Sequence, residues 1–113
     1  MIVFSDENRA LSKSKGATWK DLIIAEKLVE LAITTDLSSS NSPIDWAYLR
    51  QLEHEFDQYY PWVRLKGRKS GLRVIVETRP EKARIIYVAP RRFAYDDLDA
   101  IWSKFRTPRN EGG

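Results

Sequence analysis

Hydrophobic residues recur at helical spacing in the first half of the chain. From Trp19 to Ile33, apolar side chains follow one another at intervals of three and four residues, which is typical of a helix with one buried face. Thr18, with Asp21 three residues later, resembles a capping box, so this helix is predicted to begin at Trp19. Before it, the apolar residues 1–4 form either a short edge strand or an ordered terminus.

A second helix is predicted between residues 43 and 60. Ser42 is a favourable N-cap, Pro43 suits the first helical position, and Pro61 ends the segment. The apolar stripe of this helix comprises Ile44, Tyr48, Leu52, Phe56 and Tyr59, with Trp46 and Leu49 alongside. The serine-rich residues 36–41 are predicted to link the two helices.

From residue 61 onward, the period of the apolar positions changes from helical to alternating. Val63 and Leu65 alternate with Arg64 and Lys66, as a half-buried strand requires. Three strands are predicted in this way, at residues 62–66, 72–78 and 83–89, with turns at 67–71 and 79–82. We expect them to form an antiparallel meander.

The chain is predicted to close with a further helix. Its apolar stripe comprises Leu98, Ile101, Trp102 and Phe105, and Tyr95 or Asp96 caps its start. The order of elements predicts a single α+β domain over residues 1–106, with two N-terminal helices, an optional leading strand, the three-stranded meander and a C-terminal helix. Residues 107–113 are predicted to be a flexible tail.

The amino-acid composition excludes several classes of functional chemistry. The chain has no cysteine and one histidine, so no disulfide, thiol nucleophile or thiolate metal site is expected. His54 is not followed by a second histidine four residues later, so a solvated position on a helix surface is favoured over a metal site. No cofactor is expected. The sequence has neither an apolar run near the roughly 18 residues of a membrane span nor a secretion signal, so we expect a cytoplasmic protein without a membrane partner.

Positive charge is concentrated in the second half of the chain. Residues 1–60 carry 6 Lys and Arg against 10 Asp and Glu, whereas residues 61–113 carry 13 against 6. Arginine dominates the basic stretch and suits bidentate phosphate contacts, so we expect a nucleic acid partner, RNA rather than DNA. The competing interpretation is a solvated sheet face whose cations only protect an edge. The candidate nucleic-acid contacts are Arg64, Lys66, Arg68, Lys69, Arg73, Arg84, Arg91 and Arg92.

A subset of these residues could also carry out chemistry. If the sheet is concave, it could bring six residues around one phosphate: Arg64, Lys66, Arg73, Arg91, Arg92 and Tyr95. The candidate catalytic residues among them are Lys66, Arg73, Arg91 and Tyr95. RNA cleavage by internal transfer requires a proton to leave the 2′-hydroxyl, a dianionic phosphorane to be stabilised, and the leaving oxygen to be protonated. Lysine and arginine serve the second task, and tyrosine could transfer a proton. From the residues alone, phosphate binding without catalysis is the favoured interpretation.

Four short motifs in the second half of the chain carry a family resemblance. They are Trp62-Val63-Arg64-Leu65-Lys66, Gly71-Leu72-Arg73-Val74-Ile75-Val76, Ile85-Ile86-Tyr87-Val88-Ala89 and Arg91-Arg92-Phe93-Ala94-Tyr95. Together they resemble the RelE/ParE superfamily of bacterial toxins. The resemblance implies a short strand, two helices, a three-stranded meander and a final helix, with residues 34–60 as an insertion.

The resemblance also implies a function. Members of the RelE branch cut messenger RNA on the ribosome without a metal, and a protein antitoxin is then an expected partner. By position, Arg64 and Lys66 match the basic pair of the first meander strand, and Arg73 matches the arginine that opens the next strand. Arg91 or Arg92 matches the arginine after the last strand, and Tyr95 matches the terminal tyrosine. ParE-like relatives act on gyrase instead.

Two other classes fit the sequence. One is a non-catalytic nucleic-acid-binding module, either a winged helix that uses the 43–60 helix or an earlier one, or a sheet-based binder with Trp62 or Tyr87 as a stacking platform. The other is a protein-binding adaptor in which the acidic helices meet a partner and the basic sheet is incidental.

Overall fold

The protein folds around one mixed sheet with helices on both sides. The computed structural model describes residues 1–34, 44–67 and 71–109. Its strands are β1 (Ile2–Val3), β2 (Ile44–Tyr48), β3 (Trp62–Gly67), β4 (Leu72–Arg79) and β5 (Lys82–Pro90). Its α-helices are α1 (Asp6–Ser14), α2 (Trp19–Thr34) and α3 (Leu98–Phe105), and 3₁₀ helices span Arg50–Glu55 and Arg91–Phe93.

The sheet contains the predicted meander within a larger arrangement. Its strand order is β1-β5-β4-β3-β2, with β1 parallel to β5 and all other neighbours antiparallel. The α+β class is therefore confirmed, and the predicted meander and C-terminal helix are matched in part. The predicted leading strand is present, although it is only two residues long.

The predicted helix over residues 43–60 is wrong. Residues 44–48 form β2, which makes five antiparallel pairs with β3, and residues 50–55 form a 3₁₀ helix rather than an α-helix. Pairing with β3 buries Ile44 and satisfies the backbone in the extended form. The winged-helix version that places this segment in a DNA groove is excluded with it. The predicted N-cap Ser42-Pro43 and the linker at 36–41 lie outside the described residues.

Each face of the sheet carries its own hydrophobic core. The face covered by α2, here called the α2 face, includes Val63, Leu65, Val74, Val76 and Val88, packed against Leu22, Ala25 and Val29. The opposite face, here called the α3 face, includes Trp62, Ile75 and Tyr87, packed against Leu52, Leu98, Ile101 and Trp102. Because both faces are covered, β4 is buried from Leu72 to Glu77, and the predicted alternation of buried and exposed positions fails there.

Helix α1 packs beside β5 and was missed by the hydrophobic pattern because the residues that it buries are polar. Asn8 Nδ2 donates to the carbonyl of Ile86 at 2.9 Å, and the Ser12 hydroxyl accepts from the amide of Val88 at 2.9 Å. These side chains satisfy backbone groups on the side of β5 that faces away from β4. This end of the sheet is therefore closed by α1 as well as by β1.

More residues of the C-terminal segment pack against the rest of the protein than was predicted. Thr107, which was assigned to the flexible tail, is buried, and its carbonyl accepts from the amide of Tyr60 at 3.0 Å. The amide of Arg109 donates to the carbonyl of Gln58 at 3.0 Å. Residues 110–113 lie outside the described residues. None of the helices in the described ranges has the length and apolarity that crossing a bilayer requires.

Candidate nucleic-acid interface

Three basic residues share the α3 face of the sheet at the end farthest from the β4–β5 turn. Strand alternation places Arg64 and Lys66 on the same face as Trp62, and Arg64 pairs with Ile75. The last register pair of β3 and β4 is Leu65 with Val74. Lys66 and Arg73 lie one position beyond it, next to each other on the two strands. We call Arg64, Lys66 and Arg73 the basic strip. The structure thus brings together two members of the predicted catalytic set.

Arg73 occupies an unusual position within the basic strip. The residue is only 6 % exposed, although it was predicted to lie on an open cationic face. Its Nη1 donates to the carbonyls of Gly71 and Leu72, both at 3.4 Å, which is long for a hydrogen bond. No carboxylate of the described residues lies within ion-pair distance of it. Burying a cation without an anion is costly, and an anion beside Arg73 would lower that cost.

The opposite end of the same face shows how this protein neutralises a buried charge. Glu77 is fully buried, and its carboxylate accepts from Arg79 at 2.9 Å and from Arg84 at 3.2 and 3.1 Å. Arg84 also donates to the carbonyl of Phe105 and to the hydroxyl of Thr107. Arg84, a predicted nucleic-acid contact, therefore makes internal contacts that hold the C-terminal segment.

Two buried donors in or beside the basic strip lack acceptors among the described residues. Among the residues that the structure describes, Arg64 Nε and Trp62 Nε1 are buried without a hydrogen-bond partner. Arg64 does use its Nη2, which donates to Asp45 at 3.2 Å. Asp45 also stands opposite Lys66 across the β2–β3 pair. The basic strip and its immediate neighbours therefore combine three cations, one exposed carboxylate and two unpaired buried donors, and their net charge is positive.

The remaining members of the predicted catalytic set line other surfaces. Arg91 and Arg92 are exposed and border an open cavity with Asp21, Ile24 and Leu72. Tyr95 is 40 % exposed and borders a different cavity. The structure therefore places Lys66 and Arg73 side by side, whereas Arg91 and Tyr95 line two different cavities. Arg68 and Lys69 lie outside the described residues.

The cavity that Tyr95 borders lies between the first 3₁₀ helix and α3. Its volume is about 900 Å³, and its lining includes His54 and Glu55. Glu55 accepts from Trp102 Nε1 at 2.7 Å and from Arg106 at 3.1 Å, so this carboxylate joins the two helices. His54 is exposed, as predicted, although on a 3₁₀ helix. No group of three or more metal-ligating side chains with suitable geometry occurs in the described ranges.

The two aromatic residues suggested as stacking platforms cannot serve that purpose. Trp62 and Tyr87 are both fully buried, and Trp62 packs edge-on against Trp102 with ring centroids 4.8 Å apart. The Tyr87 hydroxyl donates to the carbonyl of Ala94. Burial raises the pKa of Tyr87 well above its ordinary value, and the nearby Tyr95 and Asp96 add to the shift. Tyr87 is therefore a neutral core residue, and a sheet-based binder cannot use either ring.

Lys15 is a cation that sequence reasoning missed. It lies at the end of α1, and its Nζ donates to the carbonyls of Phe93 at 3.1 Å and Asp96 at 2.7 Å. Burial lowers the pKa of Lys15, against the opposing effect of Asp96 and Asp97. Through these hydrogen bonds, Lys15 joins α1 to the segment after β5, and we assign it no role in ligand binding.

Comparisons with protein-family models, with curated proteins and with solved structures return no match for this chain.

Proposed function

We propose that this protein binds nucleic acid, RNA in preference to DNA, by holding backbone phosphates at the basic strip. The observation that carries the proposal is Arg73, a buried guanidinium without a carboxylate partner among the described residues. A phosphate oxygen pair matches the fork of a guanidinium and would supply the anionic partner that Arg73 lacks among the described residues. Lys66 and Arg64, both on the neighbouring strand β3, would add charge beside it.

The comparison between Arg73 and Arg84 supports this proposal. Both are arginines on meander strands of the α3 face, and both are largely removed from solvent. Arg84 has a buried acid directly across the strand pair, because Glu77 and Arg84 are register partners. Arg73 faces Ala89 instead. A sheet that needed both arginines only for folding would gain from an acid in both places.

The distribution of charge supports a polyanion as the ligand. The chain has a net charge of +3, and its excess of Lys and Arg lies in the half that contains the basic strip. Phosphate contacts supply the sequence-independent part of nucleic-acid affinity. RNA is preferred in this proposal because single-stranded RNA presents 2′-hydroxyls and unstacked bases, beside its phosphates, to a protein surface.

Fluorescence anisotropy with a labelled single-stranded RNA tests the proposal. Replacing Lys66 or Arg73 with methionine should weaken binding about ten- to hundredfold, the value of one hydrogen bond to a charged group. Lys27→Met is the matched control, because it removes an equal charge from an exposed position on α2, across the sheet. Equal losses in all three variants would show a diffuse charge effect, and no loss in Arg73→Met would reject the site.

Cleavage of the bound RNA in the RelE manner is the more specific form of the proposal. It is supported by the order of elements, since a short strand, two helices, the meander and a final helix are what the resemblance implies. Lys66 and Arg73 would then stabilise the dianionic phosphorane. The division of the other candidates among separate surfaces means that Tyr95 would have to act from the cavity beside α3.

Incubation with translating ribosomes in the presence of EDTA, read by primer extension, separates cleavage from binding. The cleavage proposal expects cuts that disappear in the Lys66→Ala/Arg73→Ala double variant. Tyr95→Phe should abolish cutting while RNA affinity persists. Salt-sensitive binding without any cut would leave a non-catalytic binding module as the function.

A further inference from the structure

The two edges of the sheet are protected to very different degrees. At one edge β1 and α1 together cover β5, with Asn8 and Ser12 hydrogen-bonded to its backbone. At the other edge β2 is the last strand in the order, and no strand of the described residues lies beyond it. Exposed edges of this kind pair readily with another strand.

The hydrogen-bond pattern shows which groups of β2 point outward. The amide of Leu49 donates to the carbonyl of Trp62 at 3.0 Å, so Leu49 and Trp62 form a hydrogen-bonded pair. Such pairs alternate along an antiparallel ladder, and therefore Ala47 and Asp45 also bond toward β3. The amides and carbonyls of Trp46 and Tyr48 consequently face away from the sheet.

Strand β2 lacks the features that proteins use to block an edge. Residues 44–48 contain no lysine, proline or bulge, and they include a single charge, Asp45. Trp46 and Tyr48 are 37 % and 47 % exposed, and their rings are in edge-to-face contact with centroids 5.4 Å apart. An apolar strand with an open ladder is a surface suited to a partner.

The neighbouring helix extends this apolar surface. Trp46 pairs with Leu65 and so belongs to the α2 face. Helix α2 contacts β2, and it exposes large apolar side chains although one side of it already packs on the sheet. These side chains are Trp19, Ile23, Ile24, Leu31 and Ile33. A helix that is apolar on both sides normally has both sides covered.

The sequence itself offers little that could cover this surface. Outside the described residues, 35–43 contain only Leu37 and Pro43 as apolar residues, and 68–70 and 110–113 contain none. A strongly charged partner is also disfavoured, because α2 carries two lysines against three acids and is nearly neutral. A surface without a dominant charge can meet a copy of itself without repulsion.

We propose that two copies of this chain pair through β2, antiparallel and about a two-fold axis at Ala47, to form one continuous ten-stranded sheet. In this register Trp46 of each copy faces Tyr48 of the other, and their outward amides and carbonyls form four hydrogen bonds. Asp45 faces Leu49 of the second copy, so no two carboxylates oppose each other. The aromatic pairs and the exposed residues of α2 then share one side of the dimer.

Sedimentation velocity over a range of concentrations tests the dimer. The wild type should sediment as a species of twice the 13.2 kDa chain mass. Trp46→Lys and Tyr48→Lys, which add a charge at half-exposed positions of the edge, should each raise the dimer Kd at least about tenfold. Phe93→Lys is the matched control, since it makes the same change at another exposed aromatic residue and should leave the dimer intact.

Hydrogen exchange on the wild type gives a second readout that needs no variant. The amides of Trp46 and Tyr48 should exchange slowly at concentrations where the dimer predominates and quickly at high dilution. A wild type that stays monomeric at all concentrations would overturn the proposal. A dimer with fast exchange at both amides would also overturn it, because association would then use another surface. These outcomes do not depend on RNA binding.

Discussion

Loss of the charge should destabilise the protein strongly at Arg84 and only slightly, if at all, at Arg73. Arg84→Met leaves the buried carboxylate of Glu77 with Arg79 alone and removes the contacts to Phe105 and Thr107. Removing one partner of a buried ion pair costs about 3–5 kcal/mol, and the remaining arginine places the expected loss near 3 kcal/mol. Arg73→Met, by contrast, removes a buried charge that has only two long hydrogen bonds.

The free energy of unfolding of Arg73→Met should therefore lie within about 1 kcal/mol of the wild type, because methionine keeps the packing and ends the cost of burying the cation. Urea unfolding, followed by fluorescence of the packed Trp62 and Trp102, measures both variants. With a slope of about 1–3 kcal/mol per molar urea, Arg84→Met should lower the midpoint by about 1–3 M. If Arg73→Met lowers it equally, Arg73 is a structural residue and the argument for an anion site fails.

Three further substitutions test other contacts. Ser12→Ala should cost about 1–3 kcal/mol in urea unfolding, because it leaves the buried amide of Val88 without an acceptor, whereas exposed Ser14→Ala should change little. Tyr87→Phe should flatten the pH dependence of the free energy of unfolding above about pH 10. In the wild type, the raised pKa of Tyr87 keeps its phenol neutral in the folded state while the phenol of the unfolded chain ionises. Wild-type stability therefore falls in this range by up to about 1.4 kcal/mol per pH unit, and the variant should lose less. Asp45→Asn should tighten RNA binding about threefold in an anisotropy titration, because it removes a negative charge next to Arg64. Threefold is the effect in water of one charge about 6 Å from a phosphate. Unchanged affinity would place the ligand elsewhere.

The segment that begins at Ile44 shows why a hydrophobic pattern can support two structures. Ile44, Tyr48 and Leu52 are spaced by four, which fits a helix, whereas Ile44, Trp46 and Tyr48 are spaced by two, which fits a strand. Pairing with β3 decides between them, and that contact is about twenty residues away in sequence. Local spacing could not supply it.

Helix α1 was beyond the reach of the same reasoning for a different reason. The residues that it buries are Asn8 and Ser12, so it has no apolar stripe to detect. Their burial is stable only because the open backbone groups of β5 accept and donate the matching hydrogen bonds. Helix α2 and the three meander strands, by contrast, carry strong periodic patterns, and they were predicted to within a few residues.

The sequence indicated where the cations cluster but not which of them are free. Arg73 and Arg84 look alike along the chain, since each lies in an apolar strand. Only the register shows that Glu77 stands across from Arg84 while Ala89 stands across from Arg73. The same limitation applies to Trp62 and Tyr87, whose burial follows from the layer that α3 adds over the sheet.

The salt dependence of RNA binding tests the central claim most directly. Binding constants for a single-stranded RNA, measured across a series of salt concentrations, give a slope of log affinity against log salt that counts the phosphates contacted, at about 0.7 per phosphate. The Lys66→Met/Arg73→Met variant should lose about 1.4 of that slope, while Lys27→Met should keep it. A double variant that retains the wild-type slope and affinity would show that the basic strip does not hold the phosphates.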